Sequence, residues 1–246
     1  MRKLVLFDID GTILNTGKIG SGAIYGAVEA VCRQAGAIKE GDIAPVSPLG
    51  KGESLRRVRM SGKTDTQIVH EILEGVVPPD TIQRLLPRIF DGVAERLAGH
   101  NHDGEPPILL EGAQRLIEAV DAHHACLPGL LTGNNRRGAE AKLEMFSLAH
   151  FFKVGAFGDD AHFRQELPEI AVNRAFEKTG YRYTGKEVVI IGDTPNDVTC
   201  GKHLNVCAIA VATGRFSSAE LQAAQPDFLF DNLSDTERVM AAILSR

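Results

Sequence analysis

The sequence has few cysteines, no excess of basic residues and no long apolar run. Its 246 residues include Cys32, Cys126, Cys200 and Cys207, and no two of these cysteines have the C-x-x-C spacing of redox and zinc sites. No secretory leader precedes the first apolar segment. We therefore expect four reduced thiols in a cytoplasmic protein.

The charge balance and the hydropathy limit the classes of partner. Lys and Arg number 27 against 32 Asp and Glu, which gives a net charge of −5. This balance does not favour binding to nucleic acid or to an anionic membrane surface. No apolar run approaches the roughly 20 residues of a membrane-spanning helix. An anionic substrate would therefore need positive charge from a metal or from placed Lys and Arg residues.

The second half of the chain alternates helical and strand patterns. From Glu111 onward, apolar segments typical of strands are separated by segments with helical spacing of apolar residues. The strand segments are "ACLPGLLT", "KVGAFG", "EVVIIGD", "NVCAIAVATG" and "DFLF". This alternation predicts an α/β fold, a Rossmann-like doubly wound parallel sheet with helices on both faces.

Residues 17–104 have a different pattern. They contain several amphipathic helical segments and no convincing strand, so we predict an all-helical domain inserted into a core of residues 1–16 and 105–246. Linkers are expected near residues 16–22 and 99–107. The second linker carries His100, His102 and Asp103, which imitate a metal cluster but are more typical of a polar loop.

Polar residues follow the apolar segments of the predicted sheet. In "LVLFDIDGTILN" two acids, Asp8 and Asp10, come directly after an apolar run that reads as a buried strand. Because ligands bind at the carboxyl ends of the strands in open α/β sheets, these acids are placed for chemistry. The other residues at strand ends are Thr132, Gly133, Asn134, Asp193 and Asp197. Arg164 lies in the chain between Asn134 and Asp193.

Four motifs in this order resemble those of the haloacid dehalogenase superfamily. "DIDGT" is similar to that family's first motif, "LLTGN" to its second and "IGDTPND" to its acidic fourth. Arg164 matches the third motif, where a lysine is more usual. The helical insertion resembles the family's helical cap, as in relatives of phosphoglycolate phosphatase and β-phosphoglucomutase.

The resemblance implies a magnesium-dependent phosphatase that acts on a small phosphorylated metabolite. Asp8 would attack phosphorus to form an aspartyl-phosphate, and Asp10 would protonate the leaving oxygen and later deprotonate water. Mg²⁺ would be held by Asp8, the carbonyl oxygen of Asp10 and Asp193. Asp197 would orient the waters of the metal or Arg164.

The phosphate would be bound by the Thr132 hydroxyl, the Gly133 N–H and Arg164. Asn134 is a further candidate contact, although it fits a turn or a helix cap more simply.

Two loops of the insertion, "PLGKGES" and "SGKTD", are candidates for facing the substrate. They and the residues after them offer Lys51, Arg56 and Lys63 as substrate contacts, although ordinary helix caps explain these sequences equally well.

Several other functions remain open from the sequence. A phosphosugar mutase shares every core residue, so the core sequence does not separate it from a phosphatase. A haloacid dehalogenase does not need Asp10 or a metal, and phosphonatase relatives usually carry a small residue at the position of Asp10. A phospho-accepting receiver domain groups similar acids but is about half this size.

Overall fold

The computed structural model describes residues 2–39, 58–99 and 106–245. Within these ranges a six-stranded parallel sheet forms the centre of the molecule. Its strands are β1 (Lys3–Phe7), β4 (Cys126–Leu131), β5 (Val154–Ala156), β6 (Val188–Gly192), β7 (Cys207–Val211) and β8 (Phe228–Phe230), in the spatial order β5-β4-β1-β6-β7-β8. The predicted parallel α/β sheet is confirmed.

Helices cover both faces of this sheet. They are α4 (Ala113–Ala122), α5 (Arg136–Glu144), α6 (Leu167–Thr179), α7 (Pro195–Cys200), α8 (Ser218–Ala223) and α9 (Thr236–Leu244). Strand β1 shows why both faces must be covered, because all five of its residues are buried. Val5 and Phe7 pack in the cluster that contains α4, α5 and α9, whereas Leu4 and Leu6 pack against α6.

Three further helices, α1 (Lys18–Gln34), α2 (Asp65–Leu73) and α3 (Pro79–Ala98), lie between β1 and the rest of the sheet in chain order. They share an apolar cluster of their own, in which α1 packs mainly on α3. This arrangement has the character expected of the insertion, whose domain limits remain a prediction. The residues Lys51, Arg56, His100, His102 and Asp103 lie outside the described ranges.

A small antiparallel ladder stands where the chain leaves the core and returns to it. Strands β2 (Leu14–Asn15) and β3 (Ile108–Leu109) pair Leu14 with Leu109 and Asn15 with Ile108. The expected linker over residues 16–22 is wrong in extent, because α1 already begins at Lys18. The apolar stripe of α1 starts at the buried Ile19, so packing extends the helix through Gly20 and Gly22.

All four cysteines are free. Burial raises the pKa of each thiol, to about 12 for Cys200 and to about 11 for Cys32, Cys126 and Cys207. Across the described part of the chain, no helix has the length and apolar character needed to cross a bilayer.

Candidate active site

The carboxyl ends of β1, β4 and β6 meet at one edge of the sheet. Asp8 follows β1, Thr132 follows β4 and Asp193 follows β6. Strands β4 and β6 lie on opposite sides of β1, so the strand order reverses at this point. Such a switch point opens a crevice at the strand ends, and ligands of α/β sheets bind there.

Three buried carboxylates form an acidic cluster in this crevice. Asp8, Asp193 and Asp197 each offer an oxygen atom, and these atoms all lie within 4.8 Å of one another. Asp197 is fixed by the first turn of α7, where its Oδ2 accepts hydrogen bonds from the N–H and the hydroxyl of Thr194 at 3.0 and 2.7 Å. In return, the Thr194 hydroxyl caps the helix by accepting from the Asp197 N–H.

Burial and neighbouring negative charge make it costly to ionise two members of the acidic cluster. Burial raises the pKa of Asp8 to about 7, although the Arg164 charge opposes this shift. Burial, followed by the charges of Asp8 and Asp197, raises the pKa of Asp193 to about 9. Both shifts reflect the cost of placing like charges together out of water.

Two glycines enclose the Asp193 carboxylate. A Cβ atom on Gly11, which has a φ of +83°, would lie 2.4 Å from Asp193 Oδ2, and one on Gly214 would lie 1.6 Å from the same atom. Both backbones thus pack closely against this oxygen, and a side chain at either position would displace the carboxylate. Three buried carboxylates with oxygen atoms within 4.8 Å of one another are a donor set suited to a hard divalent cation, so the residues fit the predicted Mg²⁺.

Arg164 is the cation beside the predicted nucleophile. It begins a short 3-10 turn before α6, and its Nη2 donates to Asp8 Oδ1 at 2.9 Å, to Asp197 Oδ1 and to the Leu131 carbonyl oxygen at 3.3 Å. Burial alone would lower the pKa of Arg164, but Asp197 and Asp8 more than offset this effect and raise it. Its Nε is buried and has no partner among the described residues.

Thr132 and Gly133 lie where the second motif was expected. Thr132 is fully buried, and its hydroxyl oxygen accepts a hydrogen bond from Asn134 Nδ2 at 2.9 Å. A Cβ atom on Gly133 would lie 2.0 Å from the Lys63 carbonyl oxygen and 3.2 Å from Arg164 Nη1. Gly133 is therefore the point at which the insertion, the second motif and Arg164 come together.

Asn134 does more than close a turn. Its Nδ2 donates to Asp10 Oδ2 at 2.7 Å. The cap of α5 is the next residue, Asn135, whose Oδ1 accepts from the Gly138 N–H at 2.9 Å. The simpler interpretation of Asn134 as a helix cap is thus wrong, because the cap lies one residue further along.

Asp10 turns away from the acidic cluster toward Lys142, a residue that the sequence analysis missed. Lys142 Nζ lies 2.7 and 2.6 Å from the two carboxylate oxygens of Asp10 and 2.6 Å from Asn134 Oδ1. Partial burial opposes ionisation of Asp10, but the charge of Lys142 and the hydrogen bonds from Lys142, Asn134 and Thr16 together outweigh it and lower the pKa of that carboxyl. A sign was available in the sequence, since Lys142 falls on the buried stripe of α5 with Ala139 and Leu143.

The "SGKTD" loop of the insertion reaches this edge of the sheet through its backbone. The Asp65 N–H donates to the Gly133 carbonyl oxygen at 2.7 Å, and the Gly62 carbonyl oxygen accepts from Asn196 Nδ2 at 2.8 Å. The side chain of Lys63 instead pairs with Glu71 on α2, at 2.5 Å. A role of Lys63 in substrate binding therefore stays a prediction.

Comparison with known proteins agrees with the fold and with the position of the acids. The structure defines the class as a Rossmann-like α/β fold with a cluster of acids at the carboxyl ends of its parallel strands. A family model described as haloacid dehalogenase-like hydrolase matches residues 5–211, and the chain belongs to this family. The predicted membership and the predicted hydrolase class are confirmed.

Relatives cover almost the whole chain at low identity. Pyrophosphatase PpaX of Bacillus cereus (strain AH820) is 25% identical over 94% of this chain and 93% of its own length. A phosphoglycolate phosphatase of Vibrio parahaemolyticus is 24% identical over 97% and 96%, respectively. The crystal structure of a hydrolase from Pseudomonas syringae covers 100% of both chains with a TM-score of 0.60 and 17% identity, a likeness of fold.

Proposed function

We propose that the protein is a magnesium-dependent phosphatase that hydrolyses a small phosphorylated metabolite through an aspartyl-phosphate on Asp8. The observation that carries this proposal is the position of Asp8, which follows β1, belongs to the acidic cluster and accepts a hydrogen bond from Arg164. Relatives named as a pyrophosphatase and a phosphoglycolate phosphatase support an anionic phosphorylated substrate.

Asp8 is the nucleophile in this mechanism. Its Oδ1 is held by Arg164, and attack on phosphorus through Oδ2 retains that hydrogen bond. The bond from Asp8 to phosphorus forms as the bond from phosphorus to the leaving oxygen breaks. The unpartnered Nε of Arg164 is a donor that a phosphoryl oxygen would satisfy, and the Gly133 N–H supplies a second donor nearby.

Asp10 is the general acid and general base of this mechanism. In its protonated form Asp10 gives its proton to the leaving oxygen in the first half of the reaction, and the carboxylate so formed takes a proton from the attacking water in the second, which restores the acid. The water oxygen becomes part of inorganic phosphate, and Asp8 is released as a free carboxylate. The side chain of Asp10 is 42% exposed, so that it lies open to the crevice in which both proton transfers must occur.

Magnesium would be held by Asp8, Asp193 and the carbonyl oxygen of Asp10, and when bound it supplies positive charge that neutralises the phosphoryl group and the carboxylates. Asp197 pairs with the same Nη2 of Arg164 as Asp8 does, and so helps to hold Arg164 beside the nucleophile. Removal of water by the insertion above the crevice would strengthen each of these charge interactions.

The test is magnesium-dependent release of phosphate by the purified protein. We expect turnover of p-nitrophenyl phosphate and of members of a panel of phosphorylated metabolites. Conversion of a panel substrate to an isomeric phosphosugar would instead identify a mutase.

Asp8→Asn should abolish turnover and leave no phosphoenzyme to trap with labelled substrate, because an amide is a poor nucleophile. Asp231→Asn, at an exposed position, is the matched control. Robust turnover by Asp8→Asn would disprove the mechanism.

A further inference from the structure

Lys142 is a buried cation to which the reaction above gives no role. Its side chain is 6% exposed and lies on the inner face of α5. An ammonium group has three N–H donors. The ammonium of Lys142 is bonded to both carboxylate oxygens of Asp10 and to Asn134 Oδ1, at 2.6 to 2.7 Å. It is thus committed to one carboxylate, and a lysine buried without such a partner would be costly.

The Asp10 carboxylate depends on a few donors for its orientation. Besides Lys142, Asn134 Nδ2 donates to it at 2.7 Å and the Thr16 hydroxyl lies 3.4 Å from it. The acidic cluster of Asp8, Asp193 and Asp197 does not include Asp10. A cluster loaded with a cation would attract any further carboxylate within reach, and the Lys142 ammonium supplies the competing charge.

We propose that Lys142 is a positioning residue, which holds the Asp10 carboxylate apart from the acidic cluster and on the side where the leaving oxygen departs. This inference rests on the proposed phosphatase function, in which Asp10 gives that oxygen its proton. Lys142 itself does not contact the phosphoryl group. Its contribution must therefore grow with the basicity of the leaving group, because a more basic oxygen depends more on a well-placed acid.

The kinetic test compares two substrates in Lys142→Met, which keeps most of the length of the side chain and removes its charge. For an alkyl phosphate we expect kcat to fall by about 100-fold, the range of a lost acid catalyst. For p-nitrophenyl phosphate, whose leaving group needs little protonation, we expect a fall of less than about threefold. KM should stay near the wild-type value for both. Equal losses of kcat for the two substrates would overturn the proposal.

A double-mutant cycle separates positioning from general structural damage. In an Asp10→Asn background, Lys142→Met should slow the alkyl phosphate no further, because the group that it positions is already gone. A structural role would slow both backgrounds by the same factor and would contradict the proposal. Lys153→Met is the matched control, since among residues 2–39, 58–99 and 106–245 the side chain of this exposed lysine bonds only to the His150 carbonyl oxygen and Asp121. It should leave both activities unchanged.

A crystal structure of Lys142→Met tests the same inference without activity. We expect the Asp10 carboxylate to leave its wild-type orientation, and an unchanged orientation would refute the positioning role. If Lys142→Met does not fold, Asn134→Ala carries the same comparison, because it removes the second donor to Asp10 Oδ2. If the wild-type protein hydrolyses no phosphate ester, the proposed function fails, whereas the crystal structure still decides the positioning role.

Discussion

Asp65 of the insertion and Asn135 of the core are joined by two hydrogen bonds. The Asn135 N–H and its Nδ2 both donate to Asp65 Oδ2 at 2.7 Å, and both residues are buried. Around this pair, the Thr64 hydroxyl donates to the His162 carbonyl oxygen at 2.5 Å and the Thr66 hydroxyl to the Gly158 carbonyl oxygen at 2.6 Å. Three consecutive residues thus fasten the start of α2 to the loops that follow β4 and β5.

Asp65→Ala should weaken the attachment of the insertion to the core. Two buried donors of Asn135 would lose their acceptor, which costs about 1–3 kcal/mol for each buried group left unsatisfied. The measurement is the free energy of unfolding in urea, with Asp80→Ala as a control at an exposed position in the first turn of α3. The control should lose less than about 1 kcal/mol. Equal losses would show that the attachment carries no stability.

Metal-free protein should become less stable as the pH rises from about 4 to about 9. The ordinary carboxyl pKa is 3.8, and the folded values are about 7 for Asp8 and about 9 for Asp193. Between these values the folded state binds more protons than the unfolded state, so stability is present at low pH and is lost as pH rises. Urea midpoints measured with a chelator test this. Asp193→Asn should flatten the curve between about pH 7 and 9, and an identical slope would contradict the assignment.

Asp193→Asn should also raise the magnesium concentration needed for half-maximal activity, by about tenfold or more. One anionic ligand is lost from the cluster, whereas Asp8 and Arg164 keep their contact. Titration of phosphate release against magnesium makes the comparison, with Asp231→Asn as the control. Coincident titration curves would exclude Asp193 as a ligand.

Gly214→Ala should impair magnesium binding, because the added Cβ would lie 1.6 Å from Asp193 Oδ2 and must displace that carboxylate. Isothermal titration of magnesium into the protein measures the effect. Gly22→Ala is the matched change, at an exposed position of α1 where a Cβ meets nothing within 4 Å. It should leave magnesium binding intact and stabilise the protein by about 0.5–1 kcal/mol.

Lys63→Ala should raise KM for the natural substrate while leaving p-nitrophenyl phosphate nearly unaffected, if Lys63 reaches the substrate as predicted. Because Lys63 pairs with Glu71, that contact requires the ion pair to open. Glu71→Ala frees the ammonium and should keep KM at or below the wild-type value. An unchanged KM in Lys63→Ala would show that Lys63 does not contact the substrate and serves only as the ion-pair partner of Glu71.

The sequence alone predicted the features that depend on local patterns of residues. The apolar run of β1 is buried on both faces, and the acids after it lie at the strand end as predicted. Helical spacing also identified α2 and α3, including the interior Pro87. In each case neighbouring residues repeat the same signal, so the pattern is strong enough to read without the fold.

Features that depend on contacts between distant segments were missed. The strands β2 and β3 have two residues each, and they form only because two segments far apart in the sequence pair with each other. The apolar stripe of α5 marks Lys142 as unusual for a helix lysine, but its partner Asp10 is placed beside it only by the fold. The Asp65 carboxylate likewise gains its partner Asn135 from the packing of the insertion on the core. No periodicity encodes such pairs.

Strands β2 and β3 bring the two ends of the insertion together at one place on the core. Paired strands lie about 5 Å apart, so the chain leaves the core at Asn15 and rejoins it at Ile108 within the width of one strand. A module grafted between these two points would have to start and finish side by side, and it would also have to replace the buried hydrogen bonds of Thr64, Asp65 and Thr66 with the core. Such a module would leave the path of β1 and of the acids that follow it unchanged as far as Asn15.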